Sequence, residues 1–319
     1  LRSNWSVRLA RWLFLTARPL PAAADLGGIE QAVFHLSAAL AARGHAVRLA
    51  TRPEAGADVT VAVNDARLLR GESAVRILWF HNEVSLWREW RRGRLPALWR
   101  RRPIAVFCGA WQAGQASRLL PFERRVILPH GLPEAILRAP PASQPPGPQV
   151  IYTSQAYRGL ADIVALWRSH IAPANPSAGL RAYIAAGDVG RIQALAAGLP
   201  SITILPRVAN AAMPELLRGA RLLLAPGHPS ETFCLAAAEA IAMGVPVVTF
   251  GRGALAERVD HGKTGYICRD LAEMAARILE LLADNAAWLR MYDNGLATRA
   301  NADWDHVATR WETEFLARA

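Results

Sequence analysis

No apolar run in the 319 residues approaches the roughly 20 that a bilayer-spanning helix needs, so no membrane span is expected. Cysteine is scarce. Cys108, Cys234 and Cys268 are an odd set, far apart, with no C-x-x-C pair and no histidine spacing suited to zinc. That pattern argues against a disulfide framework, and the three read as small core residues. Charged residues make up 20% against 52% hydrophobic, which is too apolar for a disordered chain. The length suffices for two domains that each bury a core. Segment 7–17 has the length of a short secretory apolar region, but Arg8 and Arg11 interrupt it. It reads as a buried first strand, and a cytoplasmic location is expected.

What is present is an uneven charge. The net +11 sits wholly in residues 1–145, with 21 Lys and Arg against 10 Asp and Glu; residues 146–319 hold 16 of each kind. The Pro-rich segment 139–148 marks the division. Such asymmetry assigns an anionic partner to the first half and a different task to the second.

Both halves alternate strands and helices. In the first, 7–15, 46–50, 59–63, 75–80, 104–108 and 126–128 are short apolar runs without alternation, as parallel strands covered on both faces require. A helix over 29–43 carries Val33, Leu36 and Leu40 at helical spacing and stops at Gly44. The second half predicts strands at 150–153, 180–186, 202–205, 221–225, 246–250 and 266–268, with helices near 161–167, 213–218, 232–243 and 271–284. The fold class is therefore α/β. Two Rossmann-like doubly wound domains are expected at 1–139 and 150–300, joined by a linker at 140–149, with a ligand cleft between the carboxyl ends of their sheets. In the last segment Asp303 is placed to cap a helix that puts Trp304, Val307, Trp311 and Phe315 on one stripe.

Glu231 and Glu239 stand where a loop enters a predicted helix, with seven residues between them. Eight helical steps rise about 12 Å, near the distance from a sugar across a diphosphate to a ribose. Free N–H groups at the helix start would face the diphosphate. Taken alone, the pair fits ordinary helix carboxylates equally well. Ala236, Ala237, Ala238, Ala240 and Ile241, however, make the helix apolar nearly all round, so Glu239 should be partly buried and need a partner.

The stretch from His228 to Val248 resembles the E-x7-E region of retaining GT-B glycosyltransferases, family GT4 in particular, and Gly251 to Ile267 resembles the loop and strand that follow it. The match covers some forty residues. It implies a GT-B fold whose final segment, 301–319, crosses back to the first domain. It also implies that Glu231 fixes sugar hydroxyls and Glu239 takes the ribose hydroxyls, while Arg158 and the amides of Thr232 and Phe233 stabilise the leaving diphosphate. Arg158 stands where GT4 enzymes carry a Lys, and its planar fork serves phosphate as well. Thr153 stands at their Arg position and is not a cation. Gly27 and Gly28 resemble the first loop of GT4 enzymes, which implies a donor or acceptor contact; on their own, two glycines mark only a tight turn. His81, at the end of a strand, resembles the first-domain His near the donor sugar and is a candidate catalytic residue. His130-Gly131 matches the family's Pro-Asn-Gly turn and reads as hinge structure. The implied reaction is retaining transfer from a UDP-, GDP- or ADP-sugar, with no cofactor and no protein-bound metal.

The segment 87–102 holds Trp87, Arg88, Trp90, Arg91, Arg92, Arg94, Trp99, Arg100, Arg101 and Arg102. Arg with Trp suits an anionic membrane surface, where rings lie at headgroup level. A solvated charged face or RNA binding fits the same composition. Because the acceptor side of a GT-B enzyme is its first domain, a glycan or lipid-linked acceptor at the inner face of the plasma membrane is favoured, and no nucleic acid is expected. No oligomeric state is assigned. The expected function is thus a peripheral glycosyltransferase of cell-surface polysaccharide or glycolipid assembly. Its rivals are a GT-B epimerase or phosphorylase, and a non-catalytic protein that binds a nucleotide-sugar or a partner.

Overall fold

A computed structural model describes residues 9–21 and 26–316; Arg8 and the last residues of the predicted crossover segment lie outside that range. The chain divides into two compact units, one of Leu1–Pro133 with Asn301–Ala319 and one of Glu134–Ala300. Each is built on a six-stranded sheet, and every recorded strand pair is parallel.

In the first unit the strands are β1 (Arg11–Leu15), β2 (Ala46–Ala50), β3 (Val59–Val63), β4 (Val75–Phe80), β5 (Ile104–Phe107) and β6 (Arg125–Ile127), in the order β2-β1-β3-β4-β5-β6. All five residues of β3 and all four of β5 are buried. Cover on both faces explains their unbroken apolar runs. The helix Gly28–Ala42 supplies part of the cover through Val33, Leu36 and Leu40.

The last helix, Trp304–Phe315, belongs to this unit. Asp303 caps it by accepting from the His306 N–H at 2.7 Å. Its buried stripe of Trp304, Val307, Trp311 and Phe315 joins Trp12, Phe14 and Trp79 in one core, with the Trp79 and Trp311 rings 5.0 Å apart. Polar fastening accompanies the packing. Arg43 donates two hydrogen bonds of 2.7 Å to the buried Glu312, and His45 Nε2 lies 2.9 Å from the same carboxylate. Burial raises the Glu312 carboxyl, and Arg43 with His45 outweighs it, so the net direction is down.

The second unit contains β7 (Gln149–Tyr152), β8 (Gly179–Ile184), β9 (Ile202–Pro206), β10 (Leu222–Leu224), β11 (Val247–Thr249) and β12 (Gly265–Ile267), in the order β12-β11-β10-β7-β8-β9. Counted within the unit this is the 3-2-1-4-5-6 order of a Rossmann sheet. The helix predicted near 161–167 runs on through a π turn at Trp167–Ile171. Residues 134–139 fold with this unit: Arg299 donates to the carbonyls of Leu137 and Ala139 at 3.2 and 2.9 Å. The Pro-rich stretch is held there too, where Tyr292 Oη donates to the Ala142 carbonyl at 3.3 Å.

Candidate functional site

In the second unit β7 and β10 are neighbours, and strand order reverses between them. Sheets of this kind bind ligands at the carboxyl ends of the strands flanking that switch point. There the chain forms a small cavity lined by Thr153, Arg158, Leu224, Gly227, Glu231 and Cys234, among others. Thr153 follows β7 directly. A turn closed by the Arg158 N–H on the Gln155 carbonyl at 3.0 Å then delivers Arg158. The next residue must be glycine: Gly159 has φ +97, and a Cβ there would meet the Pro226 Cβ at 2.9 Å.

The loop carrying Glu231 leaves β10 and is pinned from both sides. Its own N–H donates to the His228 carbonyl at 2.9 Å, and its carbonyl accepts from the Ala254 N–H at 2.9 Å. Gly253, φ +65, lies so close that a Cβ would sit 2.7 Å from the carbonyl oxygens of both Glu231 and His228. The glycines of the 251–253 loop therefore set where Glu231 stands.

The helix predicted over 232–243 is shorter, Leu235–Ala242. Thr232 and Phe233 precede it in a bend, so their amides are not first-turn helix donors, and a continuous helical rise does not separate the two glutamates. The start is set back by Cys234, which takes the left-handed conformation at φ 60. A non-glycine residue there stores on the order of 1–3 kcal/mol of strain, a feature that clusters at functional sites. Cys234 is thus more than core filling. It turns the chain into the helix, and its N–H is bonded to the Glu231 carboxylate.

Arg158 and Glu231 form an ion pair, Nη1 donating to Oε2. The guanidinium also lies over the Tyr157 ring, 5.7 Å from its centroid. Burial acts to lower Arg158, and the Glu231 carboxylate together with Tyr157 outweighs it, so the cation is held. Burial raises Glu231, and Arg158 opposes without cancelling the rise. The desolvated Cys234 thiol is pushed up to about 12 and stays protonated. Glu239 stands apart from this cavity on the helix. It is 9% exposed, and burial pushes it up to about 7 while Arg207 pulls the other way.

The remaining candidates fall in the first unit. Gly27 and Gly28 begin the Gly28–Ala42 helix without left-handed φ values, and a Cβ on Gly28 would meet nothing within 4 Å. His81 follows β4, is buried, and packs on Trp79 with ring centroids 4.3 Å apart. Trp87, Trp90 and Trp99 are 64%, 58% and 63% exposed on the two short helices Leu86–Arg91 and Leu95–Arg101, and the first two rings pair at 4.7 Å. Arg88 pairs with Glu83. Arg91, Arg92, Arg100 and Arg102 are exposed and Arg101 half-buried. Arg94 departs from the expected outward face. It turns in toward Asp65 and the buried Glu89 at 3.5 and 3.6 Å, and ties the basic helices to the turn after β3. Arg67 and Arg70, which the sequence reading passed over, line an open depression with Arg100 and Arg101. Among the described residues no helix is long and apolar enough to cross a membrane.

The sequence profile of the Glycosyl transferases group 1 family matches residues 147–284, the segment holding Thr153, Arg158, Glu231 and Glu239. Over this segment the chain is similar to the group 1 glycosyltransferases. Glycogen synthase of Mycobacterium tuberculosis is 40% identical over 108 residues, which cover 32% of this chain and 25% of that enzyme. The match thus spans about a quarter of the curated relative's length. Sucrose-phosphate synthase from Thermosynechococcus elongatus superposes with a TM-score of 0.75 over 97% of this chain and 100% of that one, at 18% identity. The Anabaena protein Alr3699/HepE, solved with UDP and glucose, gives 0.69 over 97% and 100% at 15% identity. At such identities the likeness is one of fold, and that fold is GT-B. Within the group 1 segment, Tyr157 and Cys234 carried no sequence signal of their own. Both gain importance only from where the switch point places Arg158 and Glu231.

Proposed function

We propose that the protein is a retaining glycosyltransferase that moves a sugar from a nucleotide diphosphate donor to a hydroxyl of a glycan or lipid-linked acceptor. The work is cell-surface polysaccharide or glycolipid assembly at an anionic membrane face. The observation that carries this reading is the pair of half-buried Arg158 and buried Glu231 at the switch point of the group 1 segment. As the C1–O bond to the diphosphate breaks, charge grows on the leaving oxygen, and Arg158 is the cation placed to take it. Glu231 then accepts from sugar hydroxyls, and Glu239 from the ribose. The acceptor oxygen bonds to C1 on the face the diphosphate leaves, and its proton passes to the departing phosphate. This step uses no cofactor and no protein-bound metal. A UDP-sugar is supported by the relative solved with UDP and glucose. The exposed Trp87, Trp90 and Trp99 beside Arg100 and Arg101 support the membrane face.

Thr153, uncharged beside Arg158 in the cavity, favours one second reading, a protein that binds a nucleotide-sugar without turning it over. Thermal-shift screening against UDP-, GDP- and ADP-sugars, followed by single-turnover assays with glycan and lipid-linked acceptors, decides between them. Glu231→Gln should lower turnover about 100-fold with donor affinity largely kept, whereas Arg158→Met should weaken both. Donor binding with no transfer to any acceptor would favour the second reading. Donor conversion without acceptor, or a requirement for free phosphate, would identify an epimerase or a phosphorylase.

A further inference from the structure

Four adjacent strands of the first sheet each deliver a polar residue at or just beyond the carboxyl end: Asn64 after β3, His81 after β4, Cys108 after β5 and His130 after β6. The last three converge. Cys108 Sγ lies 3.0 Å from His130 Nε2 and 4.0 Å from His81 Nδ1, and one ligand atom from each residue falls within 4.8 Å of the others. With Zn–S near 2.3 Å and Zn–N near 2.0–2.1 Å, a tetrahedral ion separates sulfur from nitrogen by about 3.6 Å, between the two observed distances. We propose that His81, Cys108 and His130 form a site for a soft divalent cation, zinc by its ligand chemistry.

The surroundings are built to hold these three. The His81 N–H donates to Asn64 Oδ1 at 2.8 Å. The buried Gln112 accepts from the Cys108 N–H at 2.7 Å and donates to the carbonyls of Phe80 and Asn82 at 3.1 and 2.8 Å. One side chain thus fixes the backbone on either side of His81 and at Cys108, the kind of outer support that metal sites require. Trp79 and Trp304 close in, with ring centroids 5.7 and 6.1 Å from that of His130. This apolar wall strengthens the attraction of a thiolate for a cation. His130, half-buried where the other two are buried, offers the approach. On binding, the Cys108 thiol gives its proton to solvent and its sulfur bonds to the ion, leaving a fourth position for water.

Cobalt titration of chelator-treated protein tests the site. One Co2+ per chain should bind with a thiolate-to-cobalt charge-transfer band, and one Zn2+ should displace it. Cys108→Ser and His130→Asn should abolish the band and weaken Zn2+ in chelator competition by more than the ~10–100-fold that loss of an outer-shell partner costs. Cys268→Ser, a buried thiol elsewhere, should keep both. His130→Asn decides alone if Cys108→Ser fails to fold. A wild-type protein without the band, or a band and affinity unchanged in His130→Asn, overturns the proposal and leaves a hydrogen-bonded Cys–His cluster.

Discussion

Replacing Glu239 by Gln should stabilise the second unit at alkaline pH while weakening the nucleotide it is meant to hold. Glu239 is buried, and burial lifts its carboxyl from 4.5 to about 7. Above the folded value the native state must carry a desolvated charge that the unfolded chain carries freely in water. Below 4.5 both states hold the proton, and the difference vanishes. Between these limits the native state binds more protons than the unfolded one, so stability falls as pH rises. At about 1.4 kcal/mol for each pH unit, the full penalty above pH 7 is roughly 3 kcal/mol. Gln is isosteric and uncharged. Glu239→Gln should therefore match the wild type near pH 4 and exceed it by up to roughly 3 kcal/mol at pH 8. Hydrogen exchange of peptides spanning β10 and β11 in the full chain, taken across that range, reads the difference where Glu239 is packed. If ribose hydroxyls donate to this carboxylate, UDP binding near pH 6.5 should also release a proton from the wild type and none from the variant. A stability difference independent of pH, or a variant less stable at pH 8, would refute the reasoning.

Two further outcomes follow from other parts of the molecule. Arg100→Ala with Arg101→Ala should weaken co-sedimentation with anionic vesicles by roughly 30-fold, at about 1 kcal/mol for each arginine near the surface; wild-type binding that is equal on neutral and anionic vesicles would refute this. Gly253→Ala places a Cβ 2.7 Å from the Glu231 and His228 carbonyls at φ +65, so it should cost about 1–3 kcal/mol and displace Glu231, lowering both the melting temperature and turnover.

The central strands were legible because a strand covered on both faces is apolar nearly throughout, and Val59–Val63, with Thr60 its one polar residue, or Ile104–Phe107 can be read as such without knowing what covers them, whereas the edge strands β2 and β6 are largely exposed. Helix starts were less legible. The start at Leu235 depends on Cys234 adopting a left-handed conformation, which no residue type there announces. Arg94 looked like its basic neighbours until Asp65 and Glu89, remote from it in chain or in helix phase, drew it inward.

By itself the sequence determined the two parallel sheets, the final amphipathic helix, and the forty residues that resemble a nucleotide-sugar site. These depend on periodicity and local spacing, which the chain carries in one dimension. Tertiary structure decided what lies beside what. It paired Arg158 with Glu231 across 73 positions of sequence. It also gathered His81, Cys108 and His130 from the ends of three strands. Such meetings arise from strand order, and strand order is fixed by the packing of whole elements, so no spacing along the chain records it.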